Sequence, residues 1–527
     1  MCAKASANPW ESPAAPILIV GAGPTGLVLA LCLTRLGVPV RIIDKAAEAG
    51  TTSRALGVHA RTLEFYRQLG ISDAVVAAGI KSAGVNLWVR GSKAARVPLT
   101  NMGSGLTRFP YLLIYPQDAH ERLLIATLAR EGVEVERSVE LVSLGQSHDS
   151  VTAHLKLADG SEQLAAVPYL AGCDGASSSV RQALTKTFPG GTYSHLFYVA
   201  DVEAKGPATN KEVHIDMEDA DFLGVFPLTK EGHVRLIGSV GDELQNGRGS
   251  LGFGDVRGKA LRNLKVEVIK ENWFSTYRVH HRVADHFREG RVFLLGDAAH
   301  VHSPVGAQGM NTGIGDAINL SWKLASVVKG EVPAAILDTY EQERRAFALR
   351  LVATTDKAFT LVTSRGFWAR LLRTRIVPLM APRLFGIPAI RRMMFRTVSQ
   401  IGISYRKSAL SLGSAGKIHA GDRLPWVQLK SGGDNFAQMT GLRWRVHIYG
   451  RVPAGIKGTC EELHLPLQAF PWEHSMRKRG LTQGALYLMR PDSHVAFADL
   501  RCMPDRLREY VRKSLLVPIP QPVEQPA

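Results

Sequence analysis

Acidic residues are missing from a long stretch of this chain: none lies between Asp356 and Asp422, whereas twelve lysines and arginines do, from Lys357 to Lys417. Cysteine is scarce too. The five cysteines (Cys2, Cys32, Cys173, Cys460, Cys502) are odd in number, far apart and without CxxC or Cys/His spacing. A disulfide scaffold is thereby excluded, no metal is expected, and a reducing cytoplasm fits best. The first residues lack the apolar core of a secretory signal, and no run approaches the roughly 18 apolar residues that a spanning helix needs, so a soluble protein is expected.

What is present is ordinary for a globular protein, with 45% apolar and 21% charged residues. A length of 527 residues exceeds what one core supports and implies two or three domains. The net charge of +17 could serve a nucleic acid, an anionic membrane or an acidic substrate. No nucleic-acid-binding pattern accompanies it, so no nucleic-acid partner is expected. The acid-free stretch carries the apolar clusters Phe367 to Leu372 and Ile376 to Met380, broken by Pro378, Pro382 and Pro388. It reads either as an interfacial helix pair in peripheral contact with a membrane or as a solvated helical linker.

The apolar run Ile17 to Val20 feeds into Gly21-x-Gly23-Pro24-Thr25-Gly26, after which Leu27 to Leu36 reads as a helix and Val38 to Ile43 as a strand. That is a βαβ unit. Gly21 permits the tight turn, Gly23 lets the backbone approach a pyrophosphate, Gly26 allows close helix packing, and the helix N-terminus faces the negative charge. Asp44, followed by Lys45, ends the second strand, where a carboxylate accepts from an adenosine ribose and disfavours a 2′-phosphate. From Tyr193 to Tyr277 short alternating runs predict an antiparallel sheet inserted into this unit. Arg291 to Leu295 returns to a buried strand, followed by Gly296-Asp297, a glycine-rich loop through Pro304 and Gly309, and a helix from about Asn311 to Val328. Free N–H groups at such a helix start can stabilise the pyrimidine edge of a flavin.

Gly21 to Gly26, Cys173-Asp174-Gly175 through Arg181, and Gly296-Asp297 with Pro304 to Asn311 together resemble the three signatures of the para-hydroxybenzoate hydroxylase-like flavin monooxygenases. The resemblance covers about residues 15 to 405. It implies an α/β fold: a Rossmann-type FAD-binding domain (1–192 and 278–405, the latter with a helical linker) and an inserted antiparallel substrate domain (193–277, with strands from 83–110). Residues 406–527 resemble the thioredoxin-like extension of the phenol hydroxylase branch, without its CxxC, which leaves a packing or dimer-stabilising role. The family holds FAD, consumes NAD(P)H and O2, and hydroxylates an activated aromatic ring through a flavin C4a-hydroperoxide. The matching positions imply that Asp297 meets the FAD ribityl chain, that Gly309, Met310 and Asn311 lie against the flavin pyrimidine, that Arg54 and Gln117 contact FAD, and that Asp174 belongs to a motif shared by FAD and NAD(P)H. Ala307 stands where relatives often have glycine, and His302-Ser303-Pro304 where a proline pair is frequent.

No second GxGxxG follows a strand, and the Trp-x-Trp-x-Ile-Pro signature of flavin halogenases is missing. A dehydrogenase or reductase on the same scaffold, without oxygen insertion, is the alternative. A phenolic substrate calls for a proton acceptor, for which His302 is the catalytic candidate, although a loop histidine is often structural. Phe222 and Phe226 would share one strand face and line the substrate pocket, although any half-buried strand alternates in this way. Arg235 and His214 could meet a substrate carboxylate or face solvent.

Overall fold

A strand of four buried apolar residues, Ile17–Val20, has nowhere to sit but the middle of a sheet covered on both faces. It pairs in parallel with Leu170–Gly172 on one side and Val40–Asp44 on the other. Val292–Leu294 and Val135–Arg137 extend this sheet outward in parallel, and Arg288–Glu289 closes one edge in the antiparallel sense. The computed structural model describes residues 15–50, 55–218, 222–228, 231–240, 251–256, 258–304, 306–363 and 366–515. Two buried helices, Pro24–Arg35 and Gly309–Val328, pack on each other beside the sheet. Their approach is close because Gly313 has no side chain: a Cβ there would stand 2.2 Å from Thr25 Oγ1. The second helix starts at Gly309, two residues ahead of the expected Asn311, with Gln308 as its N-cap.

The second sheet has eight strands in the order His300–Val301, Glu267–Val283, Gly190–Lys205, His233–Ser239, Leu223–Pro227, Val213–Asp216, Gly84–Val89, Ser92–Pro98. Only Val213–Asp216 and Gly84–Val89 run in parallel. The sheet thus draws a hairpin from upstream and its edge strand from downstream. That edge strand follows directly on the Gly296–Ala298 turn, so the two sheets meet where the glycine-rich loop begins.

Beyond the long helix Asp338–Thr363 and the shorter helices Phe367–Leu371, Val377–Gly386 and Pro388–Val398, a third, mixed sheet of six strands spans Leu412 to Asp499. It is fastened to the first unit by a buried ionic hub. Glu343 accepts from both Arg490 Nη atoms (2.6 and 2.8 Å), Lys323 Nζ (2.9 Å), Asn319 Nδ2 (2.6 Å) and Ser408 Oγ (2.6 Å). Burial alone would raise the Glu343 carboxyl, but Arg490 and Lys323 outweigh it and hold the group well below the usual range. Lys323 is pushed down to about 8 by burial, against the pull of Glu343. Asp492 completes the hub on Arg490 at 2.7 Å. Each buried charge is therefore paired, the condition under which such groups are tolerated.

Candidate functional site

The glycine fingerprint forms the cradle its spacing predicts. Gly21 has φ +103°, and a Cβ on it would stand 2.5 Å from the Cys173 carbonyl oxygen; one on Gly26 would stand 2.0 Å from the Gly21 oxygen. Both glycines are required by the protein itself. Gly23 differs: it caps the helix at φ −76°, and a Cβ there meets nothing within 4 Å. Its side-chain space is open. Pro24, buried at the first helical position, supplies a pre-set φ and lacks an N–H that would go unpaired there.

Asp44 leaves its strand end with Oδ2 accepting from the Ala22 N–H (2.7 Å) and Oδ1 from the Ala46 N–H (2.8 Å). A carboxylate has about four acceptor sites, so room for further donors remains. Arg137 stands 3.8 Å away, and Lys45 is exposed beside it. Gln117 starts the helix Gln117–Arg130 and donates to Glu121 (2.8 Å), a residue close enough to feel the charges of Arg137 and Asp44. Asp174 follows the central strand Leu170–Gly172. Its Oδ2 accepts from the Val180 N–H (3.1 Å), whereas Oδ1 is buried without a partner, and burial raises its pKa. Arg54 falls outside the described residues.

At the other end of the cradle, Asp297 is exposed on the Gly296–Ala298 turn, which Thr25 packs against. The loop from Pro304 carries Gly306 (φ +80°) and Ala307 (φ +52°) into the start of the helix Gly309–Val328. Met310 is half-buried there. Asn311 is buried, and its side chain does a structural job: Oδ1 accepts from His59 N–H (2.9 Å) and Thr62 Oγ1 (2.7 Å), while Nδ2 donates to Gly57 O (2.8 Å) and Ala307 O (2.9 Å). His59, to which the sequence reading gave no role, is the second clamp. Its Nε2 lies 2.9 and 3.0 Å from the carbonyls of Gly306 and Ala307, so the proton sits on that nitrogen, and burial pushes the ring's pKa down to about 4. Asn311 and His59 together leave the loop's carbonyls occupied and turned inward. The helix's first N–H groups have no intrahelical partner.

His302 comes off the edge strand His300–Val301. Its Nδ1 lies 2.8 Å from the Ser303 carbonyl and is therefore the protonated nitrogen; Nε2 is buried, without a partner, and 3.9 Å from where a Cβ on Gly309 would be. Burial lowers its pKa to about 4, so a lone pair is presented at neutral pH. Asp356 is close enough to act on it and accepts from the Tyr193 hydroxyl. Tyr193 packs on Phe359 with ring centroids 4.3 Å apart and planes tilted by 46°, and Phe197, Tyr277 and Phe222 join the same cluster. The rings of Phe222 and Phe226 do share one face, over Gly224, whose Cβ would stand 2.8 Å from Phe226 and 3.3 Å from Phe222. Phe226 packs toward Leu56 and Ile114, and the neighbouring Gly57 abuts the Ala307 methyl. An aromatic face therefore lies between the glycine-rich loop and the helix Asp338–Thr363.

Neither Arg235 nor His214 reaches solvent: Arg235 stands cross-strand from Phe226 on the same face of the sheet, and His214, paired with Val225, lies on the other. Arg235 is buried in a bidentate pair with Asp201 (2.6 and 2.7 Å). His214 is buried between the Trp88 indole N–H (2.9 Å) and Asn210 (2.9 Å).

The parallel sheet, the glycine cradle at a helix N-terminus and the clamped start of the helix Gly309–Val328 together have the form of a dinucleotide-binding site. Comparison makes the class particular: residues 14–355 match the family described as "FAD binding domain", and the chain belongs to that family. The 6-methylpretetramide 4-monooxygenase of Streptomyces rimosus is 33% identical over 93% of this chain and 91% of its own. The pentachlorophenol 4-monooxygenase of Sphingobium chlorophenolicum is 32% identical over 80% of this chain and 77% of its own. Among solved structures, an anhydrotetracycline hydroxylase from Streptomyces rimosus has a TM-score of 0.77 at 27% identity, covering 96% of this chain and 99% of that one. The chain is an FAD-dependent aromatic monooxygenase.

Proposed function

We propose that this monooxygenase hydroxylates a phenolic ring held on the aromatic face over Gly224, with His302 as acceptor for the phenol hydroxyl. The observation that carries the reading is the buried, unpartnered Nε2 of His302 between Gly309 and the Tyr193 cluster. FAD bound in the cradle and reduced by NAD(P)H supplies the activation of O2: one oxygen atom replaces a ring hydrogen as hydroxyl, the other leaves as water, and NAD(P)H provides the two electrons.

The protein's own groups orient and protect. Gly21, Gly23, Pro24, Thr25 and Gly26 hold the pyrophosphate at a helix N-terminus. Asp44 serves the ribose, Asp297 the ribityl chain, and the N–H groups of Gly309 to Asn311 the pyrimidine edge. The clamps from His59 and Asn311 keep those N–H groups aimed. Phe222, Phe226, Tyr193 and Phe359 exclude water from the ring. His302, neutral with a pKa of about 4, accepts the phenol's hydrogen bond and raises electron density in the ring without taking the proton outright. The names of the relatives run from pentachlorophenol to 6-methylpretetramide and anhydrotetracycline, so substrate size is open to test. Within this reading the eight-stranded sheet is the substrate domain, the C-terminal sheet is the thioredoxin-like extension in a packing role, and the enzyme works as a homodimer in the cytoplasm.

The test is NADH and NADPH oxidation by the purified yellow protein across a panel of phenols of increasing ring number, under heavy oxygen gas, with product and peroxide quantified together. Labelled product equal to reductant consumed is expected. Product without label would replace this reading with the dehydrogenase alternative.

A further inference from the structure

We propose that the surface formed by residues 367–398 is a seat for an anionic lipid surface, on which the enzyme lies as a peripheral protein. Of the sixteen large apolar side chains that stand exposed among the described residues, nine fall in this stretch. Phe367 and Trp368 are 73% and 78% exposed, and their rings meet edge to face at 5.4 Å, so they project as one unit. Leu379 and Met393 are 57% and 63% exposed on the next helices.

Interleaved with them are five exposed arginines: Arg370, Arg375, Arg383, Arg392 and Arg396. None has a carboxylate partner among the described residues. Elsewhere in the chain exposed arginines such as Arg406 and Arg508 are matched to Asp422 and Glu462. With no acidic residue between Asp356 and Asp422, the stretch cannot neutralise itself.

Charge complementarity selects the occupant. A second copy of the same surface would bring two sets of unpaired arginines together, which is repulsive. A purely acidic protein would satisfy the arginines and leave Phe367 and Trp368 in water. An anionic bilayer satisfies both: aromatic and aliphatic tips enter the acyl boundary while arginine stems lie along it with their heads at the phosphates. No helix of the described residues is long and apolar enough to span, so the contact is interfacial. The helix Val377–Gly386 also packs on Ser92–Pro98, the edge strand of the eight-stranded sheet, which sets that edge beside the bilayer.

The experiment is co-sedimentation of the full-length holoenzyme with vesicles of phosphatidylcholine alone and of phosphatidylcholine with equimolar phosphatidylglycerol, at low and high salt. Three proteins are compared: wild type, the double variant F367S/W368S, and the fivefold variant R370Q/R375Q/R383Q/R392Q/R396Q, each checked for unchanged flavin content and basal NAD(P)H oxidation. Binding to the anionic vesicles only, weakened at least about tenfold by high salt, by the fivefold variant and by the double variant, is the expected result. Failure of the wild type to sediment, or sedimentation that neither variant weakens, overturns the proposal. So does binding to soluble polyglutamate as tight as to vesicles and indifferent to F367S/W368S, or a wild-type oligomer that the double variant dissociates without lipid, since these assign the surface to an acidic protein or to a second copy.

Discussion

Replacing Gly23 with alanine separates what the fold needs from what the cofactor needs. The residue has φ −76° and ψ −179°, accessible to any amino acid, and an added Cβ touches nothing within 4 Å. The protein alone should barely notice the change: alanine is a poorer N-cap than glycine by about 0.5–1 kcal/mol, a loss of at most about 2–4 °C in Tm even for a smaller domain. On the proposed placement of FAD, the methyl group stands where the pyrophosphate approaches. Forcing a methyl into a tight contact costs about 1–3 kcal/mol, which weakens FAD binding by about 5- to 150-fold. Gly26→Ala is the contrasting control, since its Cβ would lie 2.0 Å from the Gly21 oxygen and the apoprotein itself should be destabilised. The assay is paired: thermal melting of the flavin-free protein, and FAD titration by quenching of flavin fluorescence. A G23A protein that melts normally and binds FAD as tightly as wild type would refute the placement of the pyrophosphate. One whose apoprotein unfolds would refute the claim that the space is free.

Four further outcomes follow from the geometry. His302→Leu removes the acceptor and should lower hydroxylation about 5- to 150-fold, the worth of one hydrogen bond of about 1–3 kcal/mol, while leaving flavin content unchanged; wild-type product yield from that variant ends the assignment. His59, His120 and His302 have pKa values lowered by burial to about 4, 3 and 4. The unfolded chain therefore binds protons near pH 6.5 that the native protein does not, and stability should fall on acidification from about pH 6.5 to 4, by about 1.4 kcal/mol per pH unit for each group; urea melts that are flat over this window would contradict it. Gly57→Ala brings its methyl to 2.8 Å from that of Ala307 and should destabilise by about 1–3 kcal/mol, with Ala307→Gly restoring most of the loss in a double-mutant cycle. Glu343→Ala leaves Arg490 and Lys323 buried without their shared carboxylate and should cost about 3–5 kcal/mol, read as a lower denaturation midpoint and early proteolytic release of the C-terminal sheet.

The parts of the site built by neighbours in sequence were legible. Gly21 to Gly26 act within one turn and Asp44 ends the next strand, so spacing alone pointed to them, while the roles expected of Asp297 and of the loop after it came from the family resemblance. Other features depend on meetings that no local pattern announces. His59 clamps carbonyls 247 and 248 residues away, and a histidine in a mixed segment carries no sign of such a partner. For Arg235 a substrate carboxylate and solvent both stood open as partners, because Asp201 lies 34 residues off on the neighbouring strand. Phe222 and Phe226 were visible as an alternation, but the slot depends on Gly224 between them, whose meaning comes from what a Cβ would strike. The proton-bearing nitrogen of His302 is set by the carbonyl of the next residue, a backbone direction that composition does not encode.

The Glu343 hub also sets a timetable. Arg490, its bidentate partner, lies 147 residues further along the chain, and at a ribosomal rate of about 5–20 residues per second it emerges on the order of ten seconds after the glutamate. Until then Glu343 and Lys323 have only each other, and the carboxylate lacks the bidentate guanidinium that holds it in the finished fold. A chain that stops before Arg490 therefore carries Gly21 to Gly26 complete while Glu343 lacks its bidentate partner.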